Sequence, residues 1–166
     1  MAERLIQEET LVEMADAVRS KACGSQDDIL AFISERTAFN PSSLPEGLTS
    51  IGKYAFYGCS NLALTTLPES LTNIGSLAFN LCSNLALTTL PESLTSIGAN
   101  AFNLCLKLKT ITFNGVPNDV ASNAFSNCYN LTTINVPWSE GEVANAPWGA
   151  TKATINYNYT RSGGVE

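Results

Sequence analysis

Cysteine is the residue type with the widest chemistry in this sequence, and its spacing is regular. Four of the five cysteines follow one another every 23 residues, namely Cys59, Cys82, Cys105 and Cys128, and Cys23 lies outside this series. The series could form a disulfide ladder, hold metal ions or present reactive thiols. Equivalent side chains of stacked coils run parallel about 5 Å apart, whereas a disulfide needs Cβ atoms that converge to about 3.8 Å. The spacing therefore favours small, buried, reduced side chains.

Carboxylates form a second column at the same period, made of Glu46, Glu69 and Glu92. Such a column could chelate a cation or attract a basic partner. Neighbouring charges about 5 Å apart in water repel by roughly 1 kcal/mol, which a solvated surface tolerates. A solvent-facing turn residue, copied with its repeat, explains the column equally, and Gly115 breaks it at the fourth position.

A third row is polar and uncharged. Its members are expected to face outward from short strands: Thr66, Thr89, Thr112 and Asn135, flanked by Asn61, Asn84 and Asn130. A flat ladder of hydroxyls and amides could bind a glycan or a peptide backbone. Threonine is also simply a good exposed strand residue, and asparagine can bond the backbone at a corner. We call the row from Thr66 to Asn135 the strand face, and the glutamate column its acidic edge.

Composition excludes several classes of function. Histidine, the commonest general base and a usual zinc ligand, is absent, and no CxxC pair occurs. We therefore expect no enzymatic activity, no cofactor and no metal. The net charge is −6, and the nine lysines and arginines are scattered, which argues against nucleic acid. No run of about 18 apolar residues is present to insert into a membrane, and residues 1–10 have no apolar stretch typical of a secretory signal.

These columns belong to one repeated unit of 23 residues. Its apolar positions recur in register: Ile51, Ile74, Ile97 and Val120; Phe56, Phe79, Phe102 and Phe125; Leu62, Leu85, Leu108 and Leu131. The period lies within the 20–29 residues of leucine-rich repeats, which form one solenoid coil per repeat. Because one coil cannot bury its own apolar face, each position is expected to stack on its copy in the next coil.

Alternation within the later repeats predicts the strands. Residues 108–113 and 131–136 alternate apolar and polar side chains, as a strand with one buried face does. Proline ends each strand, because it has no N–H for the ladder: Pro68, Pro91 and Pro137. The segment that reads Ile-Gly-x-x-Ala-Phe-x-x-Cys favours a tight corner and then a helical turn that directs Phe and Cys inward.

The first two repeats depart from this alternation. Thr65 and Thr88 stand where Ile111 and Ile134 stand in the later repeats, so their strands are expected to be weaker. Leucines at positions 64 and 87 are expected to compensate.

The ends of the chain read as caps. Residues 1–40 predict two short helices, each opened by a capping-box pattern at Thr10 and at Ser25. Residues 41–136 hold four repeats. Residues 137–160 form a C-terminal cap with a final strand, in which Trp138 and Trp148 cover the open core or, if exposed, offer a site for sugar stacking. Residues 161–166 are expected to be disordered.

The units LPESLTSIGANAFNLCLKL and FNGVPNDVASNAFSNCYNL resemble the BspA-like branch of leucine-rich repeats. The resemblance spans about residues 44–136. It implies an α+β fold consisting of a right-handed leucine-rich-repeat β-solenoid of about four to five coils with an N-terminal two-helix cap. It also implies non-catalytic surface or adhesion roles in bacteria and some protists.

The flanks resemble a narrower group. Residues 8–30, EETLVEMADAVRSKACGSQDDIL, and residues 136–159, VPWSEGEVANAPWGATKATINYNY, are similar to segments that open and close proteins of Firmicutes prophage tail regions. We expect an interaction module for protein or glycan on a host or cell surface, at the cell surface or on a phage particle, with multimeric assembly as an option. The alternative is a purely structural component of a phage tail.

Overall fold

The computed structural model describes residues 40–41 and 43–160, whose chain winds into a β-solenoid of about five turns. The described residues form eight short strands: β1 Ser50–Ile51, β2 Asn73–Ile74, β3 Thr89–Leu90, β4 Ser96–Ile97, β5 Thr110–Phe113, β6 Asp119–Val120, β7 Thr133–Asn135 and β8 Thr154–Asn156. The two predicted N-terminal helices and the predicted disordered tail lie outside these residues, apart from Asn40.

Two parallel sheets run along the solenoid. The strand sheet, in the order β3-β5-β7-β8, contains the strands that the alternation predicts. The corner sheet, in the order β1-β2-β4-β6, coincides with the segment where the sequence predicts only a tight corner. Partner residues in the corner sheet are one repeat apart, as in the pair Ser50 and Asn73. The second sheet was not predicted, because two-residue strands show no alternation in a sequence.

The strand sheet is uneven, as the sequence predicts. In the third and fourth coils, Ile111 and Ile134 point inward from β5 and β7. In the first two coils Leu64 and Leu87 are buried instead, one position earlier in the repeat. Shifting the inward residue by one position disrupts the alternation that a regular strand needs. Accordingly β3 has two residues, and no strand is assigned at positions 62–67 of the first coil.

The predicted helical turn is wrong in geometry, since no helix occurs between residues 43 and 160. Each coil instead has a turn run, the segments 53–61, 76–84, 99–107 and 122–130, held by short-range bonds such as Phe56 O accepting from Cys59 N at 3.1 Å. Residues in the left-handed region break any helix: Gly58, Leu81, Leu104 and Asn127 share one such position. The prediction that Phe and Cys point inward is confirmed by their burial.

The core is a set of stacked columns. Phe56, Phe79, Phe102 and Phe125 stack with ring centroids 5.0–5.4 Å apart and nearly parallel planes. The coils approach closely beside this column. A Cβ added to Gly98 would lie 2.5 Å from the backbone nitrogen of Ser76, so glycine is required there by its neighbour rather than by its own φ angle.

The C-terminal end of the core is closed by aromatic side chains. Trp138 and Trp148 are buried and lie 5.2 Å and 5.5 Å from the ring of Phe113. Their burial is the lid arrangement expected from the sequence, and it excludes the alternative of an exposed sugar-stacking site. The final strand is present as β8, where Ile155 pairs with Ile134.

Candidate functional site

The cysteine column is part of the core rather than a reactive centre. Cys59, Cys82, Cys105 and Cys128 are buried thiols. The thiol of each of the last three donates to the carbonyl oxygen of the phenylalanine 26 residues earlier, at 3.0–3.1 Å. These sulfur–carbonyl bonds between coils were missed by sequence reasoning, because their offset of 26 residues differs from the repeat period.

Burial controls the acidity of these thiols. Desolvation raises the pKa of Cys105 well above its ordinary value, with smaller contributions from Cys128 and Cys82. Desolvation likewise raises the pKa of Cys128 from 9.0 to about 12. A thiol that keeps its proton is a poor nucleophile and a poor metal ligand. Within residues 40–41 and 43–160, no group of three acidic, cysteine or histidine side chains is arranged to hold a metal ion.

The strand face is a continuous row, but its exposure declines along the solenoid. Thr66 is exposed, Thr89 and Thr112 are half-buried, and Asn135 is only 7% exposed. The Asn135 Nδ2 donates to Thr112 Oγ1 at 3.1 Å, and its Oδ1 accepts from Asn156 Nδ2 at 2.8 Å. Because Asn135 is engaged on both sides, little of it is left for a partner.

Asn156 extends the strand face by one position and was missed in the sequence. It lies opposite Asn135 in the pairing of β7 and β8. The spacing between these two asparagines is 21 residues rather than 23, so the row is not visible at the repeat period. The closeness of Ile155 to the same spacing is the signal that could have identified it.

The acidic edge meets the strand face in two open recesses. One, of about 530 Å³, is lined by Glu46, Thr66 and Glu69 among others. The second, of about 380 Å³, is lined by Glu69, Glu92, Thr112 and also by Tyr159 from the end of the chain. Glu46, Glu69 and Glu92 are all exposed. The structure therefore brings the predicted carboxylates and hydroxyls of the first three coils together.

The break in the acidic edge has a steric cause. A Cβ at Gly115 would collide with the carbonyl oxygen of Glu92 in the coil before it. A glutamate cannot occupy this position without moving the backbone, so the acidic edge ends at the third coil.

The flanking asparagines stabilise the coil corner. Asn84 Nδ2 donates to Ser60 O at 2.9 Å, and Asn130 Nδ2 donates to Leu106 O at 2.7 Å. This is the backbone-bonding role that the sequence left as one option. Asn61, the third member, is exposed.

These features define a class of protein before any comparison is made. The chain is a parallel β-solenoid with a dry core and flat polar faces, which is the architecture of a repeat scaffold for binding. A family model described as "BspA type Leucine rich repeat region" matches six copies within residues 31–146. The chain therefore belongs to the BspA-type leucine-rich-repeat family, as its repeat units indicate.

Solved structures show the same likeness. A T. pallidum leucine-rich-repeat protein, TpLRR, is 29% identical with a TM-score of 0.54, covering 70% of this chain and 55% of that one. A leucine-rich-repeat protein from Bacteroides ovatus ATCC 8483 is 28% identical with a TM-score of 0.48, covering 63% of this chain and 33% of that one. The chain thus spans about half the length of the former and a third of the latter. A comparison with curated proteins finds no match.

The comparisons also bear on the class of function. Leucine-rich-repeat proteins are generally non-catalytic scaffolds that mediate protein interactions. Among residues 40–41 and 43–160, no helix is long and apolar enough to cross a membrane.

Proposed function

We propose that this protein is a non-enzymatic interaction module that binds a protein or glycan partner along the strand face and its acidic edge. The observation that carries the proposal is the pair of adjoining recesses, which share Glu69 and place carboxylates beside threonine hydroxyls. Membership of a family of interaction scaffolds supports the same assignment.

The chemistry of the strand face defines the partner it suits. Carboxylates at Glu46, Glu69 and Glu92 attract cationic groups, and this attraction weakens as salt screens it. The hydroxyls of Thr66 and Thr112 both donate and accept hydrogen bonds, so they fit sugar hydroxyls or a peptide backbone. Open recesses hold a ligand weakly, and we expect useful avidity to come from several copies in one assembly, at a bacterial surface or on a prophage-encoded particle.

The test is substitution of the exposed face by positive charge. The triple variant Thr66→Lys/Thr89→Lys/Thr112→Lys should weaken binding at least tenfold, or about 1.4 kcal/mol, for any partner found on a glycan array or a panel of surface proteins. The long cationic side chains fill the recesses and neutralise the acidic edge. Unchanged affinity in a folded variant would exclude the strand face as the binding site.

A matched control exists on the corner sheet side. Thr49, Thr72 and Thr95 repeat at the same period, are exposed and belong to the same three coils. The triple lysine variant at these positions changes the net charge equally, and it should retain binding. Circular dichroism melting of both variants checks that each is folded.

A purely structural role is the second candidate, and the end of the solenoid favours it. Strand β8 is the last strand of its sheet and pairs only with β7 among the described strands. The resemblance of residues 8–30 and 136–159 to prophage tail-region segments agrees with a part in a larger appendage. Sedimentation of the full chain distinguishes the candidates: ordered self-assembly without ligand supports the structural role, whereas a monomer that binds glycan or protein supports the interaction module.

A further inference from the structure

The turn runs carry an apolar strip that neither the strand face nor the core explains. It consists of Leu81, Leu104, Leu106 and Tyr129. Leu81, Leu106 and Tyr129 are 39%, 38% and 53% exposed, which makes them three of the five most exposed large apolar residues of the described chain. Leu81 and Leu104 are one repeat apart, as are Leu106 and Tyr129, so the strip crosses three adjacent coils. Contiguous exposed apolar side chains of this kind mark interaction surfaces.

The strip departs from the choices of its own repeat. At the left-handed position the outer coils use Gly58 and Asn127, the residue types that tolerate positive φ, whereas the inner coils use Leu81 and Leu104 at φ 64° and 59°. Leucine is disfavoured there by its backbone conformation and again by its exposure. Strain held in such residues is a reason to look for a function.

The second half of the strip shows the same departure. Ser60 and Ser83 occupy the position where the later coils carry Leu106 and Tyr129. Large apolar side chains therefore replace polar ones at two positions of the repeat, in neighbouring coils and on one surface.

The strip rests on a fixed support. Tyr129 OH donates to Asn127 Oδ1 at 2.9 Å, Asn127 Nδ2 donates to Asn103 Oδ1 at 2.8 Å, and Asn103 Nδ2 donates to Asn80 Oδ1 at 3.2 Å. Asn80 is buried. Because this ladder holds the Tyr129 ring in place, a partner need not order it on binding.

The charge around the strip has one sign. The four turn runs contain Lys53 and Lys107 and no aspartate or glutamate, although the whole chain carries a net charge of −6. Lys107 directly follows Leu106, and the Lys152 ammonium lies 5.9 Å from the centre of the Tyr129 ring. The carboxylates Glu46, Glu69 and Glu92 lie at the strand face instead.

We propose that the apolar strip, with Lys107 and Lys152 beside it, is a second docking surface for a polypeptide segment in which aliphatic or aromatic side chains are flanked by carboxylates. Leucine and tyrosine side chains receive the apolar groups, and the two ammonium groups pair with the acidic ones. An anionic lipid surface fits less well, because membrane-binding clusters contain about 4–8 basic residues. A second copy of this chain would bring like charges together at the lysines.

The test uses the full chain and short synthetic peptides. The probe alternates glutamate with leucine, and two reference peptides replace either its glutamates by lysine or its leucines by serine. The first should bind in fluorescence anisotropy, with an affinity that falls as salt rises, and both reference peptides should bind at least tenfold more weakly. Equal binding of all three, or no binding of the first at millimolar concentration, overturns the proposal.

Two variants locate the site without threatening the fold. Leu81→Asn/Leu104→Asn copies the residue of the fourth coil, so it should keep or raise the melting temperature while weakening the probe at least tenfold. Val116→Asn removes an equally exposed apolar residue outside the turn runs, and it should leave binding unchanged. Unaltered binding by the double leucine variant would contradict the proposal.

Further measurements separate other occupants and the two surfaces. Concentration-dependent dimerisation that Leu81→Asn/Leu104→Asn abolishes would assign the strip to a second copy, and tighter binding to anionic vesicles than to the peptide would assign it to a lipid; either result overturns the peptide proposal. The variant Thr66→Lys/Thr89→Lys/Thr112→Lys should still bind the peptide, so failure of the strand face as a site leaves this surface unaffected.

Discussion

The two sides of each coil differ in how faithfully they repeat. On the corner side, the corner sheet and the phenylalanine and cysteine columns occupy the same positions in four successive coils. On the strand side, the inward residue moves from Leu64 and Leu87 to Ile111 and Ile134, and strand length varies from coil to coil. The corner side therefore sets the stacking of the coils, and the strand side is free to vary its surface. The predictions below test this division.

The largest effect is expected in the phenylalanine column. Phe79→Ala in a central coil should lower the free energy of unfolding by about 3–5 kcal/mol, from lost burial and the remaining cavity. Its ring stacks on both neighbours, at 5.1 Å and 5.4 Å. Denaturant unfolding at constant m-value measures the change. A loss below about 1 kcal/mol would mean that the corner side does not hold the coils together.

The cysteine column predicts a pH dependence. Burial raises the pKa of Cys128 to about 12 from 9.0, so between these values the unfolded chain releases a proton that the folded chain retains. This group's contribution to stability is complete below about pH 9, and it declines by about 1.4 kcal/mol per pH unit as pH rises toward 12. The difference in unfolding free energy between the natural chain and Cys128→Ala should therefore shrink by about 2–3 kcal/mol from pH 8 to pH 11. A difference independent of pH would show that this thiol is not buried.

A smaller effect is expected from closing the space between coils. In Gly98→Ala the new methyl would meet the backbone of Ser76, and the coils must separate, which costs about 1–3 kcal/mol. Gly52→Ala is the matched control at the equivalent position of the first coil, where no atom lies within 4 Å. Its thermal midpoint should stay close to that of the natural chain. Equal destabilisation by both substitutions would contradict the role of close coil contact.

The smallest effect is expected on the strand side. The exchange Leu87→Thr/Thr88→Ile gives the second coil the apolar pattern of the third, with total side-chain volume nearly kept. Unfolding free energy should change by less than about 1.5 kcal/mol, while β3 gains residues paired with β5. Slower amide hydrogen exchange at positions 86–89 reports the longer strand. If exchange does not change, the shifted inward residue is not what shortens β3.

Much of the architecture was visible in the repeat. Residues with the same neighbours in every coil, such as Phe102 and Cys105, were predicted to be buried and are buried. The uneven strands followed from the substitution of threonine for isoleucine at Thr65 and Thr88. The corner sheet was not visible, since a pair of residues such as Asn73–Ile74 is too short to show a period. The helical turn was a wrong prediction because Leu81 and Leu104 are not residue types that signal left-handed backbone.

For the candidate surfaces, the sequence determined the columns, because a fixed period places equivalent side chains over one another whatever the coil shape. Only the tertiary structure decided what each column does. Asn135 is largely covered because Asn156 approaches it from β8, Gly115 is small because Glu92 O lies against it, and the cysteine thiols reach a carbonyl in the coil before them. These outcomes depend on distances between coils of a few ångströms, which are set by packing and not by the order of residues in one repeat.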